Sequence, residues 1–227
     1  MWSLAIEVAL FPWQTVLFPG TVIPIRVSEG AHRAVVQHCV ETSTPFGVVL
    51  VEMMGMGQGM LAEIGTLASI QDHVEHDDGA IEALGVGSQR FRILEIIQDD
   101  PFILAKAEPL EEHGPSDVAP SEDQAIDQLA EQFWQYAALA LPKLPGSMKI
   151  QLPSDAVSRL NLICSALMVP LHQKQQLLEE DELGRRVEIA STIMRREITE
   201  LAAFRAAMKI LKGEDDAPPG PQPFSLN

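Results

Sequence analysis

Three prolines interrupt the first long apolar stretch of the chain, which covers residues 10–26. Pro12, Pro19 and Pro24 lack a backbone donor and have a restricted φ, so a helix is excluded and any strand here must be interrupted or lie at a sheet edge. Pro19-Gly20 is a typical turn pair. The pattern therefore predicts a strand ending near Phe11, an irregular buried crossing, a tight turn, and a second strand over residues 22–26.

Short apolar runs separated by turn-forming residues follow as far as residue 108. A short helix with Ser28 as its N-cap is predicted first, because apolar residues recur at helical spacing from Ala31 to Val40. Strands are then predicted over residues 46–51, 64–74, 80–86, 90–97 and 102–108, with a loop at 55–59 and turns at 85–88 and 99–101. The short connections indicate an antiparallel sheet that curls toward a barrel.

The second half of the chain has the periodicity of helices. A capping-box pattern at residues 121–124 opens the first, Ser154-Asp155 opens the second, residues 171–178 form a third, and Asp181 can cap a long fourth. The apolar stripe of that fourth helix leaves Arg185, Arg186, Arg195 and Arg196 outside it. Strands followed by about four helices predict an α+β fold.

Composition shifts divide the chain into four parts. Residues 1–112 are the predicted β-rich domain and residues 121–212 the predicted helical bundle, joined by a polar linker at 113–120 that contains two prolines and a glycine. The acidic, proline-rich residues 213–227 contain too little apolar surface to order themselves and are predicted to form a flexible tail.

The net charge of −16 is the strongest global signal. It opposes binding to nucleic acid or anionic membranes, and no basic patch offsets it. Cys39 and Cys164 lie in apolar periodic stretches, which indicates free packed thiols and a reducing compartment. With no basic leader and no apolar run of bilayer-spanning length, we expect a cytoplasmic protein.

Candidate chemistry is sparse. His73 and His76, within an acidic run at residues 72–78, are weak metal candidates, but a solvated acidic loop is the simpler interpretation, so no metal or other cofactor is predicted. The glycines at 55–59 lack a phosphate-loop spacing. No nucleophile motif occurs, and Cys39 beside His38 is interpreted as a core thiol. The two arginines flanking Phe91 share one strand face and are expected to pair with carboxylates rather than bind an anion.

Several motifs, in order, resemble the N-terminal domain of Lon proteases, which also occurs in stand-alone bacterial proteins and within cereblon. They are LFP (10–12), VLFPG (16–20), IPIR (23–26) with Glu29, FGVVL (46–50), EIGTLASI (63–70), DG (78–79), GSQRFRI (87–93), AKAEPLE (105–111) and KQQLLE (174–179). The resemblance extends from about Glu7 to about Arg196. Ser28 and His32 stand where this family usually has aromatic residues, and Trp13 replaces a common leucine.

The resemblance implies a PUA-like β pseudo-barrel followed by a helical bundle, and a role in recognising protein substrates or unfolded segments. Because the chain has neither a P-loop ATPase module nor a Ser-Lys protease domain, we expect no enzymatic activity. The leading hypothesis is a non-enzymatic module that binds exposed apolar segments of other proteins. The candidate binding residues are Trp13, Met53, Met54, Met56 and Met60, although a core position is the simpler interpretation of any single methionine.

Two alternatives stay open. The last helix could bury its apolar stripe against a second copy, which would make the protein a homodimeric structural or adaptor protein. The cluster of histidines and carboxylates from His73 to Asp78 is the sole support for a metal-binding or small-molecule-binding, hydrolase-like protein, which is the weaker alternative.

Overall fold

The computed structural model describes residues 5–54, 58–111, 117–140 and 151–212. The seven described strands come first, with one helix among them: β1 (Ile6–Trp13), β2 (Val22–Val27), α1 (Gly30–Thr42), β3 (Phe46–Met54), β4 (Gln58–Leu61), β5 (Ile64–Glu75), β6 (Ile81–Gln98) and β7 (Leu104–Pro109). Helices follow: α2 (Pro120–Ala140), α3 (Ala156–Ala166), α4 (Leu171–Glu179) and α5 (Leu183–Lys212). The predicted α+β order is confirmed.

The strands form an irregular ring. The order β1-β7-β6-β5-β3 is antiparallel throughout, and a parallel pairing of β1 with β3 closes it, from Ala9 opposite Phe46 to Trp13 opposite Leu50. Strand β2 pairs with β6 but is not part of the ring order, and β4 pairs with the end of β3. The predicted antiparallel sheet is therefore confirmed, but it is not a regular barrel.

Strand β6 is continuous where the sequence predicted two strands and a turn at residues 85–88. The glycines there permit close packing instead of a turn: a Cβ on Gly87 would lie 2.6 Å from the carbonyl oxygen of Phe18, and one on Gly85 would lie 2.9 Å from Ile23. Glycine in a strand interior often marks such a close approach. The predicted break was wrong because the chain that requires the space is distant in sequence.

Helix α1 begins without the predicted cap. Glu29, not Ser28, occupies the N-cap position, and its side chain makes no capping hydrogen bond. His32, where the resemblance leads one to expect an aromatic side chain, stacks on Phe11 with ring centroids 4.3 Å apart. Its Nε2 atom donates to the carbonyl oxygen of Pro12 at 2.7 Å, so the half-buried imidazole packs against β1 at this position.

The sheet and the later helices share one hydrophobic cluster. Val16, Phe18, Leu50 and Ile64 pack with apolar residues of α2, α3, α4 and α5. Asp155 caps α3 by accepting from the backbone N–H of Ser158 at 2.7 Å. The domain boundaries remain a prediction, and residues 113–116 of the expected linker and residues 213–227 of the expected tail lie outside the described residues.

Two buried arginines hold the turn between α4 and α5, and we call this arrangement the α4–α5 clamp. From β6, Arg90 Nη1 donates to the carbonyl oxygens of Leu178 and Glu180 at 2.9 and 3.3 Å and contacts Asp181 Oδ1 at 3.0 Å. From α5, Arg186 Nη2 donates to the carbonyl oxygen of Glu180 at 2.6 Å. Both arginines are 1% exposed. The prediction that Arg186 faces outward was wrong, because turn carbonyls need buried donors.

Arg92 also contacts Asp181, at 3.8 Å. The expected pairing of the strand arginines Arg90 and Arg92 with a carboxylate is therefore confirmed. None of the described helices combines the length and the apolar character needed to cross a bilayer.

Candidate functional site

A two-stranded projection leaves the ring at residues 51–54 and 58–61, and we call it the β3–β4 arm. Up to Leu50, β3 is paired with β1. Beyond it, β3 pairs with β4 from Val51 opposite Leu61 to Met54 opposite Gln58. Within the described ranges, β4 pairs with no strand other than β3. The arm therefore presents a free strand edge.

The hydrogen-bond pattern shows which β4 residues face that edge. The N–H of Ala62 donates to the carbonyl oxygen of Leu50 at 2.9 Å. Leu50 and Ala62 are thus a hydrogen-bonded pair. Since hydrogen-bonded and non-hydrogen-bonded pairs alternate along antiparallel strands, Glu52 and Met60 form the next hydrogen-bonded pair. Gly59 and Leu61 then direct their N–H and C=O groups away from β3. These are the groups that an added strand would use.

A cleft of about 470 Å³ lies between this arm and helix α4. The arm contributes Glu52, Met60 and Leu61, the start of β5 contributes Ile64, and α4 contributes residues 172, 175, 176 and 179. Met60 is 54% exposed. The cleft thus combines apolar surface with an adjacent unpaired strand edge.

Gln175 fixes the α4 wall of the cleft. Its Nε2 atom donates to the carbonyl oxygen of Ile64 at 2.9 Å and to Glu179 Oε1 at 2.8 Å. Because both partners are acceptors, the orientation of the amide is determined. Its Oε1 atom is buried and has no hydrogen-bond partner among the described residues. The wall of the cleft therefore contains an acceptor that lacks a donor.

The charge of the cleft is negative. Glu52, Glu63 and Glu179 line it together with one guanidinium, that of Arg92, which lies 3.8 Å from Asp181. Three carboxylates against one arginine favour a cationic ligand. The net charge of −16 for the whole chain has the same sign.

Among the described residues, the two cysteines and the two candidate histidines do not form a catalytic group. Burial raises the pKa of the Cys39 thiol to about 11 and that of Cys164 to about 12, so neither is a thiolate nucleophile at neutral pH. His73 is exposed on β5, and His76 Nε2 lies 3.3 Å from Glu82 Oε2. No group of three or more potential metal ligands occurs in the described part of the chain.

The structure separates the residues that the sequence grouped as candidate binding residues. Trp13 ends β1 and packs edge-on against Phe11, 5.4 Å between ring centroids, in the core cluster beside α1. Met60 lines the cleft, whereas Trp13 does not. Met53 and Met54 lie on β3, their side chains outside the described structure, and Met56 lies outside the described residues.

Sequence reasoning missed the α4 side of the cleft. The signal was a glutamine on the buried face of a short amphipathic helix: Gln175 is 5% exposed, and Leu178, one turn later, is also buried. A buried amide implies hydrogen-bond partners, but the partner strand is 111 residues away in sequence.

The comparisons with known proteins agree on one family. The model of the ATP-dependent protease La (LON) substrate-binding domain matches residues 7–196. The chain is 26% identical to a Lon protease of Anaeromyxobacter dehalogenans over 88% of its length and 24% of that protein. It is 29% identical to Lon protease 2 of Desulfotalea psychrophila over 81% of its length and 24% of that protein. The chain thus spans about a quarter of these curated relatives.

Two solved structures have the same fold. One is a Lon N-terminal domain protein from Xanthomonas campestris, with a TM-score of 0.58 and 23% identity, covering 81% of this chain and 95% of that one. The other is the N-terminal domain of a Mycobacterium avium complex Lon protease, with a TM-score of 0.59 and 14% identity, covering 83% of this chain and 98% of that one.

Proposed function

Because this chain belongs to the LON substrate-binding domain family, we propose that it is a non-enzymatic module that binds unfolded or exposed apolar segments of other proteins. The matched region is the substrate-binding domain, not the ATPase or protease domains of those proteins. The observation that carries the proposal is the cleft beside the free edge of β4. A reducing compartment, the cytoplasm, suits its two free, buried cysteines.

The cleft is suited to a polypeptide for a physical reason. An extended segment has unpaired N–H and C=O groups that match the outward groups of β4, and its apolar side chains can cover Met60. A folded protein has already paired those backbone groups and buried those side chains. Binding should therefore discriminate between unfolded and native forms of one client.

We expect a destabilised variant of a labelled client protein to bind at least about tenfold more tightly than its stable parent, a difference of about 1.4 kcal/mol. Fluorescence anisotropy titration at a temperature where only the variant is substantially unfolded measures this. The stable parent is the matched control, since the two differ in little but stability. Equal, weak binding of both forms would refute the proposed function.

A second function, self-association as a homodimer, is favoured by the end of α5. Leu201, Phe204, Met208 and Leu211 follow the alternating spacing of three and four residues found at the a and d positions of coiled coils. Phe204 is 64% exposed and Leu211 is 79% exposed. Glu200 and Arg205 then occupy g and e positions, where opposite charges can pair between two parallel helices.

Phe204→Asp should abolish a dimer formed through α5, because it places a charge in the apolar seam between the helices. Light scattering at micromolar concentration should give a dimer mass for the unaltered protein and a monomer mass for the variant. Ala203→Asp adds the same charge at an exposed position beside the stripe and should leave the dimer intact. A monomer mass for the unaltered protein would exclude this function.

A further inference from the structure

We propose that the cleft receives an extended segment in which basic and apolar residues alternate, and that this segment adds to the outer edge of β4 as a new strand. The proposal rests on the proposed polypeptide-binding function and identifies the site and the class of segment it takes. Three features of the cleft carry it: its free strand edge, the face on which its side chains lie, and its charge.

The edge of β4 supplies the backbone contacts. Gly59 and Leu61 direct their N–H and C=O groups away from β3, and no described backbone group pairs with them. The neighbouring strand does not fill this edge: the pairing of β5 with β6 begins at Ile64 opposite Arg92, one further bond joins the N–H of Ile93 to the carbonyl oxygen of Glu63, and β6 beyond that point pairs with β7. The arm and the distal part of β6 therefore separate, and the β4 edge is left available.

The arm also fixes which client side chains enter the cleft. Glu52 and Met60 are directly opposite each other and so lie on one face of the arm. The side chain of Leu61 lies on the other face and packs against the core of the ring, while the residue also borders the cleft. A strand added to β4 places every second side chain on the face of Glu52 and Met60. The intervening side chains continue the apolar face of Leu61.

Lysine and arginine fit the cleft face best. Their aliphatic stems can cover the exposed thioether of Met60 while their charged heads reach the carboxylates of Glu52, Glu63 or Glu179. An acidic segment would meet three carboxylates and should be rejected.

A short labelled peptide that alternates lysine and valine is the probe, compared with its glutamate–valine counterpart by anisotropy titration. We expect only the lysine peptide to bind, and its affinity to fall as salt is added. Two N-methylated versions of it test strand addition, one modified at every lysine amide and one at every valine amide. Since only one set of amides faces β4, one version should lose at least about tenfold in affinity and the other should bind as before.

The double variant Glu52→Gln/Glu63→Gln should weaken binding of the lysine peptide by about fivefold. Glu7→Gln/Glu131→Gln removes the same charge from exposed positions outside the cleft and should have little effect. Equal effects of the two double variants, or equal binding of the two methylated peptides, would overturn the assignment of the cleft while a destabilised client still binds. Failure of the destabilised client and of both peptides to bind would refute the function itself.

Discussion

Replacing Arg90 with methionine is expected to lower the free energy of unfolding by about 3 kcal/mol. Arg90 is 1% exposed and donates to the backbone carbonyl oxygens of Leu178 and Glu180 in the α4–α5 clamp. Methionine fills much of the space but leaves these acceptors without a donor from β6. Glu180 keeps its bond from Arg186, so the main loss falls on Leu178 and on the fixed position of the turn.

Arg92→Met is the matched control, on the same strand and with the same acidic partner. Arg92 lies 3.8 Å from Asp181, and its side chain is 39% exposed, so its removal should cost less than about 1 kcal/mol. Urea unfolding followed by circular dichroism measures both variants. Equal losses for the two arginines would show that the α4–α5 clamp does not hold the helices against the sheet.

Gly65→Ala should destabilise the protein by about 3 kcal/mol, at the upper end of the usual cost of overpacking. A Cβ at this position would lie 2.4 Å from the carbonyl oxygen of Val48 and 3.0 Å from Phe91 Cζ. The first contact is with the backbone of a paired strand, so a side-chain rotation would not relieve it. The ring must then open where β3 and β5 approach each other.

Gly59→Ala provides the comparison within the same sheet. Its Cβ would lie 3.0 Å from Val51 Cγ1, a side-chain atom that can move, so the loss should stay below about 1 kcal/mol. Thermal unfolding should show a decrease of about 6–12 °C for Gly65→Ala and only a few degrees for Gly59→Ala. A smaller decrease for Gly65→Ala than for Gly59→Ala would contradict the proposed packing of the ring.

Patterns in the sequence predicted an element of the fold correctly where the cause of that element is local in the chain. Prolines restrict the backbone wherever they occur, so the interrupted opening segment, the turn at Pro19-Gly20 and the strand beginning at Val22 could be predicted. Helical periodicity likewise predicted α2 to α5 nearly in full, because each has one apolar face. The family could be predicted from the order of its motifs.

The errors share a different cause. A glycine can form a turn or make space for another segment, and Gly87 does the second because Phe18 approaches it closely. Strand β4 was not predicted, and its first two residues were assigned to the loop at 55–59, since four residues are too few to show a pattern. Helix α5 could be predicted, but the burial of Arg186 could not. Arg186 is buried against the carbonyl groups of a turn, and these leave no periodic pattern in the sequence.

The candidate site depended most on contacts between distant segments. Met60 was predicted as a binding candidate, and the structure places it in the cleft, but the wall opposite it comes from α4. Gln175 reaches Ile64 across 111 residues of sequence. Binding through Trp13 and the remaining methionines stays a prediction.

Hydrogen exchange with and without the lysine–valine peptide tests the central claim most directly, since it reports which backbone amides the ligand covers. The N–H groups of Gly59 and Leu61 point away from β3 and should exchange rapidly in the free protein. With saturating peptide, we expect strong protection of these two amides and little change on the far side of the ring, in β2 and α1. Saturated binding without protection at Gly59 and Leu61 would contradict strand addition at this edge.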